Sequence, residues 1–363
     1  MKKIRALLLY AQSDENKTLS YQMGWPQHFQ SDPHFDCIPV NLAKNAIVSQ
    51  PRALLLSLWR QCDAIIILHS VFSNGCYLKG WFFEAIKSSP LPKAYFIGNE
   101  YKLMPQKMEF CEEIGVSLFV SQSNSPAVLG LYKERLGCKV VCVPSCGLDC
   151  NLFVPRIPFE ERTIDIGYRV VDGDLYLGHT ERREIGEYFL MYGPGYGLKI
   201  DISMNPVDRF HREDWANFLN QCKGQLGVEA GSDYFELTDE TRIKVNAYIT
   251  KHPGATLADV REQFFKDYLN PIPLRVISGR QVEAAGTKTV QIMFKGYYND
   301  YFQPDEHYIS LNKDFSNFDD VITKYRYASY CQHITENAYQ IVRSELTYEK
   351  LINKFYHLLM PLL

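Results

Sequence analysis

The sequence lacks several features that would assign it at once to a common class of protein. The sequence has 363 residues and contains no uninterrupted apolar run of the roughly 18 residues that a membrane span needs. A formal net charge of −3 provides no global field that would attract nucleic acid or an acidic membrane. We see no repeat at a solenoid period and no low-complexity segment. We therefore expect a globular cytoplasmic protein, at most peripheral at the inner membrane face, without a nucleic-acid partner.

The ten cysteines do not follow a structural-zinc pattern. Four of them recur every four residues: Cys138, Cys142, Cys146 and Cys150. None of these belongs to a paired C-x₂-C motif. Residues 140–143 have strand character, and Pro144-Ser145 would interrupt any helix after them, so the four thiols would not share a helical face. We favour reduced, partly buried thiols over a metal site, and we expect no metal.

The first half of the sequence alternates apolar runs with amphipathic stretches. Ile4–Tyr10 is predicted to be a buried strand and not a signal peptide, because Asp14 and Glu15 stand where a small-residue cleavage site would be needed. Leu54–Cys62 and Tyr77–Lys87 are predicted crossover helices. The alternation predicts an α/β fold with a parallel sheet covered on both faces. Its further predicted strands are Ala64–Leu68, Ala94–Ile97, Ser117–Val120 and Lys139–Val143.

Two polar side chains come after predicted strands of this sheet. His69 comes directly after Ala64–Leu68, and Glu100 comes after Ala94–Ile97. Ligands of parallel sheets bind at the carboxyl ends of the strands, so we predict that both side chains lie on the functional edge. A structural histidine, and a glutamate that caps the next helix, remain the alternatives.

A proline-punctuated segment, Cys150–Pro158, is predicted to link this domain to a second one. A second series of predicted strands comes after it: Thr163–Tyr168, Leu198–Ile202, Gly224–Val228 and Val290–Phe294. Asp239–Thr250 and Leu257–Asp267 are predicted as two charged helices inserted into this series, and Tyr348–Leu359 has the apolar spacing of a final docking helix. The predicted domain limits are 1–155, 160–340 with the insertion at about 238–270, and the docking helix within 341–363.

The segment Ile277–Thr287 is the most informative part of the sequence. A polar turn, Ser278-Gly279-Arg280, opens a short predicted helix that precedes the strand Thr289–Phe294. Backbone N–H groups at the start of a helix and a guanidinium beside them suit phosphate oxygens. Glu283 lies one turn further on, where its carboxylate can accept hydrogen bonds from the two hydroxyl groups of a ribose. These features describe a nucleotide pocket, and the alternative is an ordinary strand–turn–helix with a solvated glutamate.

Several motifs together resemble one enzyme family. Val143–Pro155 resembles the P-x-G-[VL]-D-x-x-x-F-x-P link of family 4 (group 1) glycosyltransferases, and Arg280–Gly286 resembles their [RV]-x-x-E-A-x-x-x-G nucleotide-sugar motif. Three further segments resemble the C-terminal third of the bacterial relatives: Pro304–Ile309, Asp314–Asn317 and Ile334–Tyr339. These relatives include the spore-maturation-type proteins. The resemblance covers roughly residues 140–355 well, and the N-terminal domain in outline.

This resemblance implies a GT-B fold, in which two Rossmann-like domains face each other across a cleft. It implies a nucleotide-diphosphate-sugar donor on the C-terminal domain and a glycan or glycoconjugate acceptor on the N-terminal one. The expected enzyme is a retaining, metal-independent hexosyltransferase with no cofactor besides its donor. Glu283 matches the family glutamate that binds the ribose. The glutamate that the family usually has eight positions earlier is replaced by Arg275, which leaves the sugar unassigned.

The resemblance and the charge of the leaving group give roles to further residues. A departing nucleoside diphosphate carries growing negative charge that, without a metal, arginines and helix dipoles must stabilise. The residues assigned to donor binding are Arg169, Ser232, Ser278, Arg280 and Glu283. The residues assigned to catalysis are His69, which looks like the histidine that many family members hold near the donor sugar, Glu100 as an acceptor-side base, and Glu229 in a loop of small residues. Surface salt bridges for the arginines and a simple turn for that loop remain alternatives.

Two other functions stay open. A nucleotide-sugar epimerase would keep the fold but would need carboxylates that converge on the sugar. A non-catalytic protein that presents a nucleotide- or glycan-binding surface is the alternative from a different class. A dehydrogenase is disfavoured, because neither half of the chain has a G-x-G-x-x-G turn after its first strand.

Overall fold

The computed structural model describes residues 3–12, 20–43, 61–266 and 272–363. The chain divides into two compact units. Unit 1 comprises Met1–Ser145, Phe235–Glu240 and Tyr348–Leu363, and unit 2 comprises Cys146–Tyr234 and Thr241–Thr347. Each unit is therefore assembled from separate stretches of the chain, whereas the sequence analysis placed the domains one after another.

Unit 1 is built on a parallel sheet with the strand order β2-β1-β3-β4-β5-β6. Its strands are β1 Ile4–Tyr10, β2 Phe35–Asn41, β3 Ala64–Ile67, β4 Lys93–Phe96, β5 Leu118–Ser121 and β6 Lys139–Cys142. Every residue of β3 is buried, as its continuous apolar run predicts. Strand β2 was missed because Asp36 and Pro39 interrupt its apolar character. It lies at the edge of the sheet, where a proline is tolerated.

Among the described residues of unit 1, four helices lie between these strands: α1 Ser20–Ser31, α2 Gly80–Lys87, α3 Met104–Ile114 and α4 Pro126–Leu136. The crossover predicted over Tyr77–Lys87 is confirmed as α2. The crossover predicted over Leu54–Cys62 falls almost entirely outside the described residues. Helices α3 and α4 both end at a glycine in the left-handed conformation, Gly115 and Gly137, where a side chain would be strained.

Unit 2 contains a second parallel sheet, with the order β13-β12-β9-β7-β8. Its strands are β7 Ile164–Arg169, β8 Ile200–Ser203, β9 Cys222–Gly227, β12 Val290–Phe294 and β13 Ile309–Leu311. A separate antiparallel pair joins β10 Ala230–Ser232 to β11 Leu274–Val276. Gly231 has a φ of +99°, and a Cβ atom there would lie 1.7 Å from the carbonyl oxygen of Leu274. Only glycine fits this position.

The helices of unit 2 are α5 Glu181–Tyr192, α6 Arg212–Gln221, α7 Glu240–Lys251, α8 Leu257–Val260, α9 Gly279–Gly286, α10 Phe318–Arg326 and α11 Ala328–Glu345. The first helix of the predicted insertion is confirmed as α7. The second begins at the expected cap, because Thr256 and Asp259 form a capping box, but it changes to a π-helix over Arg261–Phe265. Its predicted last residue, Asp267, lies outside the described residues.

The last helix, α12 Tyr348–Leu359, has the bounds predicted from its apolar spacing and packs on unit 1. The ring of Phe355 lies 4.9 Å from that of Phe96 in β4 and 5.7 Å from that of Phe29 in α1. Gly24 of α1 makes this approach possible, because a Cβ atom there would lie 2.2 Å from the Tyr348 hydroxyl. Within the described ranges, no helix combines the length and apolar character needed to cross a membrane.

Candidate active site

Helix α9 begins at the turn that the sequence analysis singled out. The backbone N–H and the hydroxyl of Ser278 both donate to Oε1 of Gln281, at 2.8 and 2.5 Å. The side-chain amide of Gln281 donates in turn to the carbonyl oxygen of Val228, at 3.0 Å. The first turn of α9 is thereby fixed against the carboxyl end of β9. Ser278 therefore caps and positions the helix, and its predicted contact with the donor stays a prediction.

The segment Val143–Pro155, which resembles the family's interdomain link, packs against the same helix. A Cβ atom added at Gly286 would lie 2.3 Å from a methyl group of Leu148 and 2.9 Å from the carbonyl oxygen of Phe153. At Gly279, a Cβ atom would lie 2.9 Å from Sγ of Cys146. The glycines at the two ends of α9 therefore allow residues of the link to approach closely. The link and the nucleotide motif, which the sequence analysis matched separately, form one piece of structure.

The carboxylate of Glu283 is buried in α9 and held in a fixed position. Its Oε2 accepts a hydrogen bond from the indole N–H of Trp215 in α6, at 2.7 Å. Trp215 was missed by the sequence analysis, because nothing in the local pattern distinguishes it from an ordinary core tryptophan. A carboxylate oriented in this way is suited to accept hydrogen bonds from the two hydroxyl groups of a diol.

Three arginines near α9 have no acidic partner. Arg280 is the second residue of α9, Arg182 is the second residue of α5, and Arg209 precedes α6. In the described part of the chain, none of them forms an ion pair or a hydrogen bond through its guanidinium. Burial lowers the pKa of Arg280 to about 10, and the positive charges of Arg182 and Arg209 act in the same direction. In this arginine cluster, Arg182, Arg209 and Arg280, three positive charges outnumber the nearby carboxylate of Glu283, so the cluster is suited to an anion.

The cluster lies where ligands of parallel sheets usually bind. Arg182 and Arg209 stand in the connections that leave the carboxyl ends of β7 and β8. Arg280 adds the start of α9, whose first N–H groups have no acceptor within the helix. Arg280 was predicted from its motif and the other two were not, because no short pattern distinguishes them from surface arginines.

Arg169, predicted as a second diphosphate ligand, is engaged elsewhere. Its guanidinium donates to a carboxylate oxygen of Asp201 at 2.5 Å and to the carbonyl oxygen of the same residue at 2.9 Å. It also stacks over the ring of Phe218, 4.6 Å from the ring centroid. Its charge is therefore already compensated. A role of Arg169 in donor binding stays a prediction that this geometry disfavours.

Arg275, which replaces the usual glutamate of the family motif, lies in a buried ion-pair network. It donates to both oxygens of Glu181, at 2.9 and 3.1 Å, and its Nε donates to Asp233 at 3.1 Å. Lys313 approaches Glu181 to 2.7 Å. The side chains of Arg275 and Glu181 are only 9% and 7% exposed. The network joins β11 to the first residue of α5 and so positions Arg182, the residue after Glu181.

Glu229 and Ser232 hold the backbone around them. Oε1 of Glu229 accepts hydrogen bonds from the backbone N–H groups of Tyr297 and Tyr298, at 2.9 and 2.8 Å, and burial raises the pKa of this carboxyl. The hydroxyl of Ser232 donates to the carbonyl oxygen of Tyr234 at 2.5 Å. Both side chains are buried. Their predicted roles in catalysis and donor binding stay predictions, and the contacts favour a structural role.

Unit 1 has a polar pocket of about 610 Å³ at the carboxyl edge of its sheet. Its lining residues come after β3 and β4 or belong to α1: Tyr21, Gln22, Ser70, Ser73, Asn74, Gly75, Cys76, Tyr77, Lys79 and Asn99. Gln22 is buried, and its Oε1 has no hydrogen-bond partner among the described residues. Hydroxyl, amide and tyrosine side chains around one concave space suit a ligand rich in hydroxyl groups.

His69 is buried beside this pocket, directly before Ser70. Its ring centroid lies 4.8 Å from that of Tyr21, and its Nε2 has no partner in the described ranges. Burial lowers the pKa of His69 to about 3, so the imidazole is neutral near pH 7. Gly98, at the end of the next strand, approaches it closely, because a Cβ atom there would lie 3.1 Å from that of His69. The structure thus places His69 on the predicted edge as a neutral side chain.

Glu100 is fully engaged inside unit 1. One carboxylate oxygen accepts from the hydroxyl groups of Ser121 and Tyr132, at 2.7 and 2.8 Å. The other accepts from the backbone N–H of Gln122 at 2.6 Å. Burial raises the pKa of this carboxyl, and the hydrogen bonds act in the opposite direction. Its assignment as a base stays a prediction, and these contacts favour a structural role.

Replacement of His69 by phenylalanine is expected to reduce the acid sensitivity of the protein. Between pH 6.5 and about 3 the unfolded chain protonates this imidazole and the folded chain does not, so stability falls as the pH drops through that window. From about pH 7 to about pH 5 the loss amounts to about 2 kcal/mol. Urea unfolding of both proteins at the two pH values measures it. An equal pH dependence of wild type and variant would contradict the prediction.

The expectation from the sequence that no Asp-x-Asp motif is present is wrong, because Asp172-Gly173-Asp174 is such a motif. In the structure, Asp172 forms an ion pair with Arg183, and one of its oxygens accepts from the backbone N–H of Gly173 at 2.9 Å. Across the described residues, no group of three or more His, Cys, Asp or Glu side chains is arranged to hold a metal ion. The ten cysteines are free thiols.

Comparison with known proteins identifies the fold. No protein-family model and no curated protein matches the sequence. Among solved structures, a glycosyltransferase from Rickettsia africae has a TM-score of 0.56 at 9% identity and covers 99% of this chain and 98% of its own. HepE from Anabaena, solved with UDP, has a TM-score of 0.53 at 10% identity and covers 99% and 100%. A sucrose-phosphate synthase from Thermosynechococcus elongatus has a TM-score of 0.52 at 12% identity and covers 99% of both chains.

These similarities extend over essentially the whole chain, and the chain therefore has the GT-B fold of these glycosyltransferases. The predicted fold class is confirmed. Membership of family 4 and of the spore-maturation-like subgroup stays a prediction.

Proposed function

We propose that this protein is a glycosyltransferase that binds a nucleotide-diphosphate sugar on unit 2 and transfers the sugar to a glycan or glycoconjugate acceptor bound on unit 1. The observation that carries the proposal is the combination of the arginine cluster with Glu283 around α9. Excess positive charge beside a fixed, buried carboxylate matches the two parts of a nucleoside diphosphate, which are its phosphates and its ribose diol.

The arginine cluster supplies the electrostatic part of the proposed reaction. When the bond between the sugar and the phosphate breaks, its electron pair passes to the phosphate oxygen and the diphosphate gains negative charge. Arg182, Arg209 and Arg280, with the start of α9, stabilise this charge at fixed positions. They also explain why we propose a metal-independent reaction, since they provide the positive charge that a divalent cation supplies in other enzymes. The retaining outcome is proposed from the family resemblance alone.

The pocket of unit 1 supports the acceptor part of the proposal. Its polar lining of serine, asparagine and glutamine side chains suits the hydroxyl groups of a sugar, and Tyr21 and Tyr77 offer faces against which a sugar ring can pack. The neutral imidazole of His69 lies beside it. The solved structures of HepE with UDP and with UDP-glucose support a nucleotide-sugar donor on this fold.

A non-catalytic nucleotide-binding protein is the second candidate, and Arg275 is the observation that favours it. The family glutamate near the sugar ring is absent, and Arg275 is neutralised by Glu181 and Asp233. A thermal-shift screen with UDP, GDP, ADP, CMP and dTDP tests both candidates for nucleotide binding. A selective ligand at 100 times its dissociation constant stabilises the folded protein by about 2.7 kcal/mol. Release of free nucleotide from the matching sugar donor then separates transferase from binding protein.

Replacing Glu283 by glutamine is expected to weaken binding of the selected nucleoside diphosphate about tenfold. Hydrogen bonds from the ribose hydroxyls to a carboxylate are stronger than those to an amide, by roughly 1–2 kcal/mol. The effect is specific to the diol, so the variant should bind the 2′,3′-dideoxy nucleotide as well as the wild type does. Isothermal titration with both nucleotides measures the difference, and the exposed Glu345→Gln serves as the matched control. An equal loss for both nucleotides would contradict the assignment of Glu283 to the ribose.

A further inference from the structure

Unit 2 has a second cavity at the opposite edge of its sheet. The guanidinium of Arg162 spans this amino edge and donates to the carbonyl oxygens of Cys222 and Thr287, at 2.9 and 2.8 Å, and to the hydroxyl of Thr289 at 3.0 Å. Strands β9 and β12 begin at or just after these residues. The five residues of β12 separate this edge from the arginine cluster by about 17 Å at the usual rise per residue. The cavity is therefore separate from the proposed donor site.

The cavity has a volume of about 600 Å³ and two unlike walls. One wall is formed by the end of the link and by the residue after it, and it is apolar: Pro155, Ile157, Pro158 and Phe159. The other wall is polar and includes Arg162, Lys288 and the first turns of α11. The side chains from α11 are Ser329, Cys331, Gln332, His333, Thr335 and Glu336. A ligand that fits both walls has an apolar body and a polar end.

The charged side chains of the cavity, Arg162 and Lys288 against Glu336, carry a net charge of +1. Lys288 forms an ion pair with Glu336, at 2.6 Å. Arg162 is only 4% exposed, and in the described part of the chain it forms no ion pair with a carboxylate. The N–H groups of Arg162 donate to backbone carbonyl oxygens and to the hydroxyl of Thr289. Arg162 therefore contributes positive charge but no pair of free N–H groups for a bidentate contact. One excess positive charge, without free N–H groups for a bidentate contact, suits a monoanion better than a phosphate dianion.

Helix α11 provides two further features that point to an anion. The helix has 18 residues, its N-cap residue Tyr327 makes no side-chain capping bond, and its first turn contains no acidic residue. The positive end of its dipole is therefore not balanced locally. Independently, the Thr335 side chain is 7% exposed and lines the cavity, and its hydroxyl has no hydrogen-bond partner among the described residues. A buried hydroxyl of this kind is costly unless a ligand or water satisfies it.

We propose that this cavity binds a small monocarboxylate with an apolar body, an aliphatic or aromatic acid. Its carboxylate lies toward Lys288 and Arg162, and the Thr335 hydroxyl, about two turns into α11, donates to it. Its apolar part packs against Phe159 and the prolines of the link. This site is independent of the proposed function, because it uses no residue of the arginine cluster.

Isothermal titration of the full-length protein with octanoate tests the proposal, and 1-octanol is the uncharged control. Octanoate is expected to bind at least tenfold more tightly than 1-octanol, and inorganic phosphate is expected not to compete. Thr335→Val, which keeps the shape of the side chain but removes the hydroxyl, should weaken octanoate binding about fivefold, in line with one lost hydrogen bond. Lys288→Gln should weaken it about tenfold and reduce its dependence on salt.

Two further variants locate the site. Arg280→Gln, in the arginine cluster, should leave octanoate binding unchanged, and Phe159→Ala should weaken octanoate and 1-octanol alike. Far-UV circular dichroism confirms that each variant is folded. The proposal is overturned if octanoate does not bind, if 1-octanol binds equally well, if phosphate displaces octanoate, or if Thr335→Val and Lys288→Gln both leave its affinity unchanged.

Discussion

Replacement of Arg280 by glutamine is expected to lower the turnover of the nucleotide-sugar donor by about 10²–10³. The guanidinium is partly buried, has no acidic partner in the described structure, and shares its surroundings with Arg182 and Arg209. Positive charge fixed in advance near a leaving group stabilises the transition state more than the ground state, because the diphosphate gains charge as the sugar departs. The loss should therefore fall mainly on kcat, with a smaller rise in KM.

A pair of neighbouring residues in α5 gives the matched control for this prediction. Arg182 belongs to the arginine cluster, whereas Arg183 is half exposed and pairs with Asp172. Arg182→Gln should reduce turnover by an amount comparable to Arg280→Gln, and Arg183→Gln should change it less than twofold. Arg280→Lys should recover part of the activity, since it retains the charge but not the planar fork. Equal effects of Arg182→Gln and Arg183→Gln would show that general surface charge, and not this cluster, supports turnover.

The fold was largely predictable from the sequence because burial depends on local pattern. A short, continuous, largely β-branched run such as Ala64–Ile67 favours a strand buried inside a parallel sheet, and the apolar spacing of Tyr348–Leu359 favours an amphipathic helix. Strands at the edge of a sheet are less buried, so their sequences show a weaker apolar pattern. Phe35–Asn41 contains a proline and alternates only weakly in burial, so it was missed.

The candidate site was less predictable because it depends on which side chains are already paired. The sequence indicated both Arg169, which follows a predicted strand, and Arg280, which opens the predicted helix before Glu283. The structure distinguishes them, since Asp201 forms an ion pair with the first and no acidic residue in the described ranges forms one with the second. Arg182 and Arg209 lie near Arg280 only because α5 and the segment before α6 pack beside α9 in the folded chain. Such pairings link residues far apart in the sequence, and a single sequence without aligned relatives does not reveal them.

The same limit applies to Arg275. The sequence showed that an arginine replaces a glutamate, which suggested a changed sugar site. The structure shows that its positive charge is matched by Glu181 and Asp233, so that a buried ion-pair network stands where the motif that the sequence resembles has a carboxylate. A direct electrostatic role for Arg275 toward the donor is therefore not needed. Its position between β11 and α5 gives it a structural role that can be measured.

Arg275→Ala is expected to destabilise the protein by about 3–5 kcal/mol, the largest loss of stability predicted here. The substitution leaves the buried carboxylate of Glu181 and the half-buried one of Asp233 without their main partner, and an uncompensated buried charge costs far more than the ion pair itself contributes. Urea unfolding at neutral pH measures the change. As a control, Arg135→Ala removes the exposed pair with Glu112 and should cost less than about 1 kcal/mol.

The double variant Arg275→Ala with Glu181→Ala distinguishes a broken ion pair from a simple loss of packing. If the charge left on Glu181 causes most of the damage, removing it restores part of the stability, and the double variant unfolds at a higher urea concentration than Arg275→Ala alone. The coupling between the two substitutions should then reach about 1–3 kcal/mol. Additive losses would mean that Arg275 acts through its packed side chain and not through its charge. Because Glu181 directly precedes Arg182, the single variant should also lose donor turnover, even at temperatures where it remains folded.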